Sequence, residues 1–121
     1  MTDFERIGEE RLRAALVAFV QRISQDYIIG FFFAGKDLDH IAAREFELAC
    51  THLGGPHPYR GRPIGQAHGP HRINQGHFRR RLAFLGTVLR EFDVDEDIVQ
   101  RWLAHDEKML ELVTDGSDCV P

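Results

Sequence analysis

The sequence predicts an all-α protein with a single domain. Apolar residues recur at three- and four-residue steps along the chain, and no segment shows the alternation typical of a strand. Capping residues, glycines and prolines separate the periodic segments. The chain of 121 residues suits one domain, so we expect residues 1–121 to fold together with 114–121 as a flexible tail.

Five helical segments are predicted. The first covers about 9–26, where one apolar stripe contains Leu12, Ala15, Leu16, Phe19, Val20 and Ile23. The second covers about 37–53, with a cap at Asp37 or Asp39 and a stop at Gly54. A short helix at about 64–68 follows the irregular stretch GGPHPYRGRP. Asn74 caps a fourth helix, and the acids at 95–97 begin a fifth that reaches about Val113.

Composition excludes several classes of function. A formal net charge of −4 is unfavourable for binding a phosphate backbone. The basic run 79–81 falls inside a helix, and we expect a solvated face with one inward stem. No apolar stretch reaches the roughly 20 residues of a membrane span. The charged start lacks a signal peptide, and Cys50 and Cys119 lack CxxC spacing, so a cytoplasmic location is expected.

His68 ends the short helix between flanking glycine and proline. A neutral imidazole held there against apolar helices has the chemistry of a metal ligand. The long loop before it is of the kind that wraps a ligand. The other interpretation is a surface histidine beside a turn, and position alone favours that one.

Glu45 interrupts the inner stripe of the second helix, which reads Leu38, Ile41, Ala42, Glu45, Leu48 and Ala49. A carboxylate on an apolar face is costly unless it is paired or neutral. It either reaches water at the edge of the stripe, paired with an arginine of the first helix, or stands as a polar group inside a ligand pocket. The residues alone leave both interpretations open.

Four motifs resemble the truncated haemoglobin family, and most closely its first group. They are FERIGEERLRAALVAFVQR at the start, the aromatic corner FFFAGKDL, the loop THLGGPHPYRGRP, and AHGPHRINQGHF. All four occur in the family's order and at its spacing, over nearly the whole chain. The resemblance implies a shortened globin, a two-over-two helical sandwich around haem b.

The resemblance also implies roles for individual residues. His68 falls on the proximal iron ligand, whereas His71 and His77 fall on positions that do not coordinate. The other implied cofactor contacts are Phe33, Ile41, Tyr59, Ile64, Ile73 and Phe78. The implied ligand pocket consists of Phe19, Val20, Phe33, Ile41, Glu45 and Ala49. Arg60 and Arg62 are either partners of the haem propionates or solvated loop residues.

The sequence departs from the family at the residues that would touch a bound gas. A Phe-Tyr pair is usual in the opening helix, and its tyrosine donates a hydrogen bond to the gas; here the pair is Phe19-Val20. Glu45 replaces a glutamine. We hypothesise that a protonated Glu45 supplies the missing donor. His40 and His52 are predicted to lie off the inner stripe, and Phe31 and Phe32 are predicted to be core residues.

The resemblance implies a haem protein that reversibly binds the diatomic gases O2, CO and NO, with oxygen transport as its role. The alternative from the enzyme class is a haem-dependent oxidoreductase, which carries out nitric oxide dioxygenation, or peroxide or nitrite chemistry with Glu45 as a proton shuttle. Whether the chain is an enzyme stays open. A third hypothesis is a non-haem helical module or a gas sensor. The expected partners are diatomic gases and a reductase, with no nucleic acid and no membrane, and the expected oligomeric state is a monomer or a weak dimer.

Overall fold

The computed structural model describes residues 1–61 and 73–110. These residues form five α-helices and contain no strand, which confirms the all-α prediction. The helices are α1 (Asp3–Ile7), α2 (Glu9–Ser24), α3 (Leu38–Leu53), α4 (Gln75–Glu91) and α5 (Glu96–Glu107), with a 3₁₀ turn at Gly30–Phe33. The predicted helix at 64–68 and the predicted tail at 114–121 lie outside the described residues.

Helix α1 is an element that the periodicity did not predict. Thr2 and Glu5 form a capping box, in which each side chain accepts a hydrogen bond from the other residue's backbone N–H. Gly8 then takes φ = +88°, a conformation that few residues with a side chain adopt, and this separates α1 from α2. Helix α1 therefore precedes the predicted first segment, which forms α2 alone and ends at Ser24, two residues before the predicted Asp26.

The boundaries of α3 and α4 follow the predicted signals. The Asp37 carboxylate accepts hydrogen bonds from the backbone N–H groups of Asp39 and His40, and α3 ends where Gly54 takes φ = +84°. The Asn74 side chain accepts from the His77 backbone at 2.8 Å and so begins α4. Local hydrogen bonds therefore fix where these two helices start.

The core lies where α2 packs against α3 and α4, and α4 in turn packs against α5. This gives the two layers of the expected two-over-two sandwich. Every residue of the predicted α2 stripe is buried, and Phe46 and Cys50 face it from α3. Burial also raises the pKa of the Cys50 thiol. No helix in the described ranges is long and apolar enough to cross a membrane.

Helix α3 has two apolar faces with different neighbours. Ala42, Phe46 and Ala49 are buried in the core. Ile41 and Leu48 lie on the adjacent face and are only partly covered. An apolar helix face that is not fully covered is unusual in a small domain, so the space beside it is a candidate binding site.

A bidentate ion pair joins the residues just after α2 to α4. Arg80 donates to both oxygens of the Asp26 carboxylate at 2.6 and 2.7 Å, and the Asp26 side chain is only 6% exposed. Asp26 also accepts from the backbone N–H groups of Ile28 and Ile29. The Arg80 hydrogen bond, followed by those backbone bonds, lowers the pKa of Asp26 from 3.8 to about 2.

This pair predicts an acid-sensitive contribution to stability. Because the pKa is lower in the folded than in the unfolded chain, the contribution is complete above about pH 4 and is lost as the pH falls through about 2. Asp26→Asn should therefore unfold at lower urea than the unmodified chain at pH 7, and the gap between their midpoints should narrow by pH 3. A gap of the same size at both pH values would contradict this.

Candidate functional site

A cavity of about 860 Å³ lies between α3, α4 and α5. Its volume falls within the roughly 300–1,000 Å³ of small-molecule and cofactor sites. The 3₁₀ turn and the corner after it close one side, and the loop residues 59–61 close another. The described wall is largely apolar and contains Ile23, Ile29, Phe32, Phe33, Ile41, Leu48, Ala49, Ile73, Phe78, Trp102 and Met109.

Most of the predicted site residues meet at this cavity. Five of the seven predicted cofactor contacts line it, namely Phe33, Ile41, Tyr59, Ile73 and Phe78. Glu45 and Ala49 of the predicted ligand pocket line it as well. Phe19 and Val20 are buried in the core behind the wall, each at most 1% exposed. Ile64, His68, Arg62 and His71 lie outside the described residues.

Glu45 is an ion-pair partner of Arg81 on α4, not of an arginine in the opening helix. The Arg81 guanidinium donates one hydrogen bond to the Glu45 carboxylate and another, at 3.3 Å, to Asp106 on α5. The three side chains are between 10% and 21% exposed. A cation between two carboxylates therefore links α3, α4 and α5 at the cavity wall.

The Arg81 guanidinium stays protonated and positively charged. Burial lowers the pKa of its guanidinium, but the charges and hydrogen bonds of Glu45 and Asp106 outweigh burial and raise that pKa. The guanidinium carbon also lies 5.1 Å from the Phe19 ring centroid and 5.7 Å from that of Phe78. Arg81 is thus the one arginine of the run 79–81 that points into the protein, as expected. Arg80 instead pairs with Asp26.

His52 also lines the cavity, which corrects the helical-wheel prediction. It follows Glu45 by seven residues, almost two helical turns, and so shares its face of α3. Its ring stacks on that of His105 with centroids 3.9 Å apart and meets Trp102 edge-on at 5.4 Å. Burial, followed by the neighbouring His105, lowers the pKa of His52 to about 4. His40 borders the cavity too, from an exposed position.

The three consecutive phenylalanines do not all lie in the core. Phe31 is 61% exposed, so the prediction of a buried Phe31 is wrong. A 3₁₀ turn has three residues per turn, which directs successive side chains about 120° apart. The three rings therefore do not share one environment: Phe32 and Phe33 line the cavity, whereas Phe31 lies on the outer surface with its ring centroid 4.0 Å from that of Phe32.

Cationic side chains border the cavity near the loop. Lys36, Arg44 and Arg60 all contribute to its wall. Glu47 organises two of them, since it accepts hydrogen bonds from the Arg44 guanidinium at 2.9 Å and from the Arg60 backbone N–H at 2.8 Å. Apolar walls with a cationic border suit a large apolar molecule that carries carboxylates at one edge.

Comparison with known proteins places this architecture in a family. The family model described as bacterial-like globin matches residues 2–114. The group 1 truncated haemoglobin GlbN of Mycolicibacterium paratuberculosis is 31% identical over 101 residues, which cover 83% of this chain and 74% of that protein. The group 1 truncated haemoglobin of Tetrahymena pyriformis is 27% identical over 99 residues, covering 81% and 82% of the two chains.

Solved structures of truncated haemoglobins have the same fold as this chain. The crystal structure of the Tetrahymena pyriformis truncated haemoglobin in its Fe(III) form superposes with a TM-score of 0.85 at 25% identity, covering 94% of this chain and 98% of that one. The group II truncated haemoglobin of Bacillus anthracis shares the fold, with a TM-score of 0.86 at 21% identity and 99% and 95% coverage. The chain belongs to the bacterial-like globin family and, within it, to the group 1 truncated haemoglobins.

Proposed function

We propose that this chain binds one haem b in the cavity and reversibly binds diatomic gases there. The observation that carries the proposal is the cavity itself, whose apolar wall contains five residues expected to contact haem in a member of this family. Burying a flat apolar macrocycle needs aliphatic and aromatic walls, and its carboxylates need cations at the border. Phe33, Ile41 and Phe78 meet the first need, and Lys36, Arg44 and Arg60 meet the second.

His68 is the residue that we propose as the protein's ligand to the iron. The proposal rests on the sequence, because the motif AHGPHRINQGHF matches the proximal segment of the family and puts His68 on its ligating position. When bound, haem supplies an iron centre whose gas affinity depends on the axial ligand and on the polarity of its pocket. Tyr59 and Ile73 lie on either side of the segment that contains His68 and both reach the cavity wall.

Arg81 is the donor that we propose for the gas side of the pocket. The family's tyrosine is absent, since Val20 stands there, and the Glu45 carboxylate already accepts a hydrogen bond from Arg81. A guanidinium has five N–H groups in a fixed plane, so Arg81 can bind two carboxylates and still donate to a third acceptor. We therefore assign the donor role to Arg81 and the role of holding it to Glu45.

The same pairing weakens the oxidoreductase alternative. A proton shuttle must give up and regain its proton near the working pH. A guanidinium does not lose its proton in proteins, and the Glu45 carboxylate is already occupied as the acceptor of an Arg81 hydrogen bond. The Glu45–Arg81 pair thus suits a fixed hydrogen-bond donor better than a proton relay.

Haemin titration of the purified chain tests the proposal. The Soret absorbance should rise and saturate at one haemin per chain. Ile41→Trp should weaken haemin binding at least tenfold, because Ile41 faces the cavity and a larger ring there occupies the space. Val17→Trp is the matched control on the outer side of α2, where Val17 is 38% exposed. An unsaturated linear rise, or equal affinities of the two variants, would overturn the proposal.

A further inference from the structure

We propose that His52, His105 and Asp106 form a binding site for a divalent transition-metal cation, with zinc as the representative ion. His52 lies in the last turn of α3, and the other two lie in the last turns of α5. Each offers one ligand atom, and the three atoms lie within 4.8 Å of one another. The proposed ligand set does not include His68, and its three residues line the cavity described above.

The donor set fits that class of cation. Imidazole nitrogens with one carboxylate oxygen are ligands that zinc, copper and nickel accept, whereas calcium and magnesium prefer oxygen alone. Two histidines and one acid make a three-ligand zinc site with an open fourth position. Ligand atoms around a tetrahedral zinc are about 3.4 Å apart, given bonds of about 2.0–2.1 Å. Side-chain rotation of His105, which is 39% exposed, can supply the small closure required.

Neighbouring groups already hold two of the three ligands in place. Arg81 donates to Oδ2 of Asp106 at 3.3 Å, which leaves Oδ1 facing Nδ1 of His105 at 3.0 Å. Trp102 packs edge-on against the His52 ring. Hydrogen bonds and packing of this kind orient ligands in metal sites and strengthen binding.

The local charge favours a cation despite the presence of Arg81. Glu45 and Asp106 carry two negative charges against one positive charge on Arg81, so the cluster is net negative when both histidines are neutral. His52 is neutral at neutral pH, which is the form that offers a lone pair to a metal. No other described group of three histidine, cysteine or acidic residues comes this close together.

Isothermal titration of the full-length chain with zinc chloride at pH 7.5, after removal of bound metal by a chelator, tests the site. One tight zinc per chain is expected. His52→Gln and His105→Gln should each weaken it by at least about 100-fold, since loss of an orienting neighbour alone costs about 10–100-fold. His40→Gln is the control, because His40 is an exposed histidine on the same helix. His68→Gln should leave zinc binding unchanged, which separates this site from the proposed haem ligand.

Two results would overturn the proposal: no tight zinc in the unmodified chain, or His52→Gln and His105→Gln variants that bind zinc as the His40→Gln variant does. The His52–His105 contact would then be an aromatic stack only. Because the His105 side chain is 39% exposed, the His105→Gln variant keeps the test valid if the His52→Gln variant fails to fold. Thermal unfolding adds a second readout, since zinc should raise the Tm of the unmodified chain but not of His105→Gln.

Discussion

Arg81→Met should lower the free energy of unfolding of the haem-free chain by about 2–3 kcal/mol. Removing one member of a fully buried ion pair costs about 3–5 kcal/mol, because the remaining charge is left without a partner. Glu45, Arg81 and Asp106 are 10–21% exposed, so water offsets part of that cost. The measurement is urea unfolding at pH 7, with Arg79→Met as the control from an exposed position of the same basic run. We expect a change of about 0.5 kcal/mol or less in the control.

The double variant Glu45→Met with Arg81→Met tests whether the unpaired Glu45 charge causes the loss of stability in Arg81→Met. Replacing both partners with apolar side chains removes the stranded Glu45 charge, so part of the lost stability should return. Full recovery is not expected, because Asp106 still loses its bond to Arg81. A double variant that is less stable than Arg81→Met would contradict the proposed origin of the destabilisation.

The haem-loaded Arg81→Met variant also tests the donor role. A hydrogen bond to a charged acceptor contributes about 1.5–3 kcal/mol, and a loss of ~1.4 kcal/mol corresponds to a factor of ten. The oxygen dissociation rate should therefore rise roughly tenfold or more. An unchanged rate together with reduced stability would show that Arg81 is only a structural residue.

His68→Gly should remove the protein's bond to the iron and have the largest effect on the pigment. The variant should lose haem during purification or retain it with an altered absorption spectrum, because the axial ligand sets the electronic state of the iron. Free imidazole should restore the histidine-ligated spectrum, since it supplies the same ligand atom in the space that glycine leaves. His77→Gly is unsuitable as a control because His77 takes part in the Asn74 capping box and borders the cavity. His57→Gln is used instead, because His57 pairs with Glu9 and is not among the described residues that line the cavity.

Local signals were enough to predict most of the helices. Asp37, Gly54 and Asn74 act through hydrogen bonds or backbone conformation within a few residues, so their effect is visible in the sequence. The same reasoning could have found α1, because Thr2 and Glu5 have the spacing of a capping box. The prediction of a buried Phe31 was wrong because a run of three apolar residues does not reveal that these residues form a 3₁₀ turn with three residues per turn.

The polar cluster could not be predicted in the same way. Glu45 and Arg81 are separated by 36 residues, and Arg81 and Asp106 by 25. Their meeting depends on how α3, α4 and α5 cross, which no local pattern specifies. The sequence did predict that a carboxylate at position 45 is costly on an apolar face and that one arginine of the run 79–81 points inward. Taken together, these two predictions would have suggested an ion pair between Glu45 and an arginine of that run.

Absorption spectra of the ferrous unmodified chain and of His68→Gly, before and after addition of carbon monoxide, test the central claim most directly. The account predicts a histidine-ligated haem spectrum that shifts on carbon monoxide binding in the unmodified chain, and a different ferrous spectrum in the variant until imidazole is added. An unmodified chain without pigment after expression with sufficient haem would contradict it. Identical spectra for the two proteins would equally rule out His68 as the ligand.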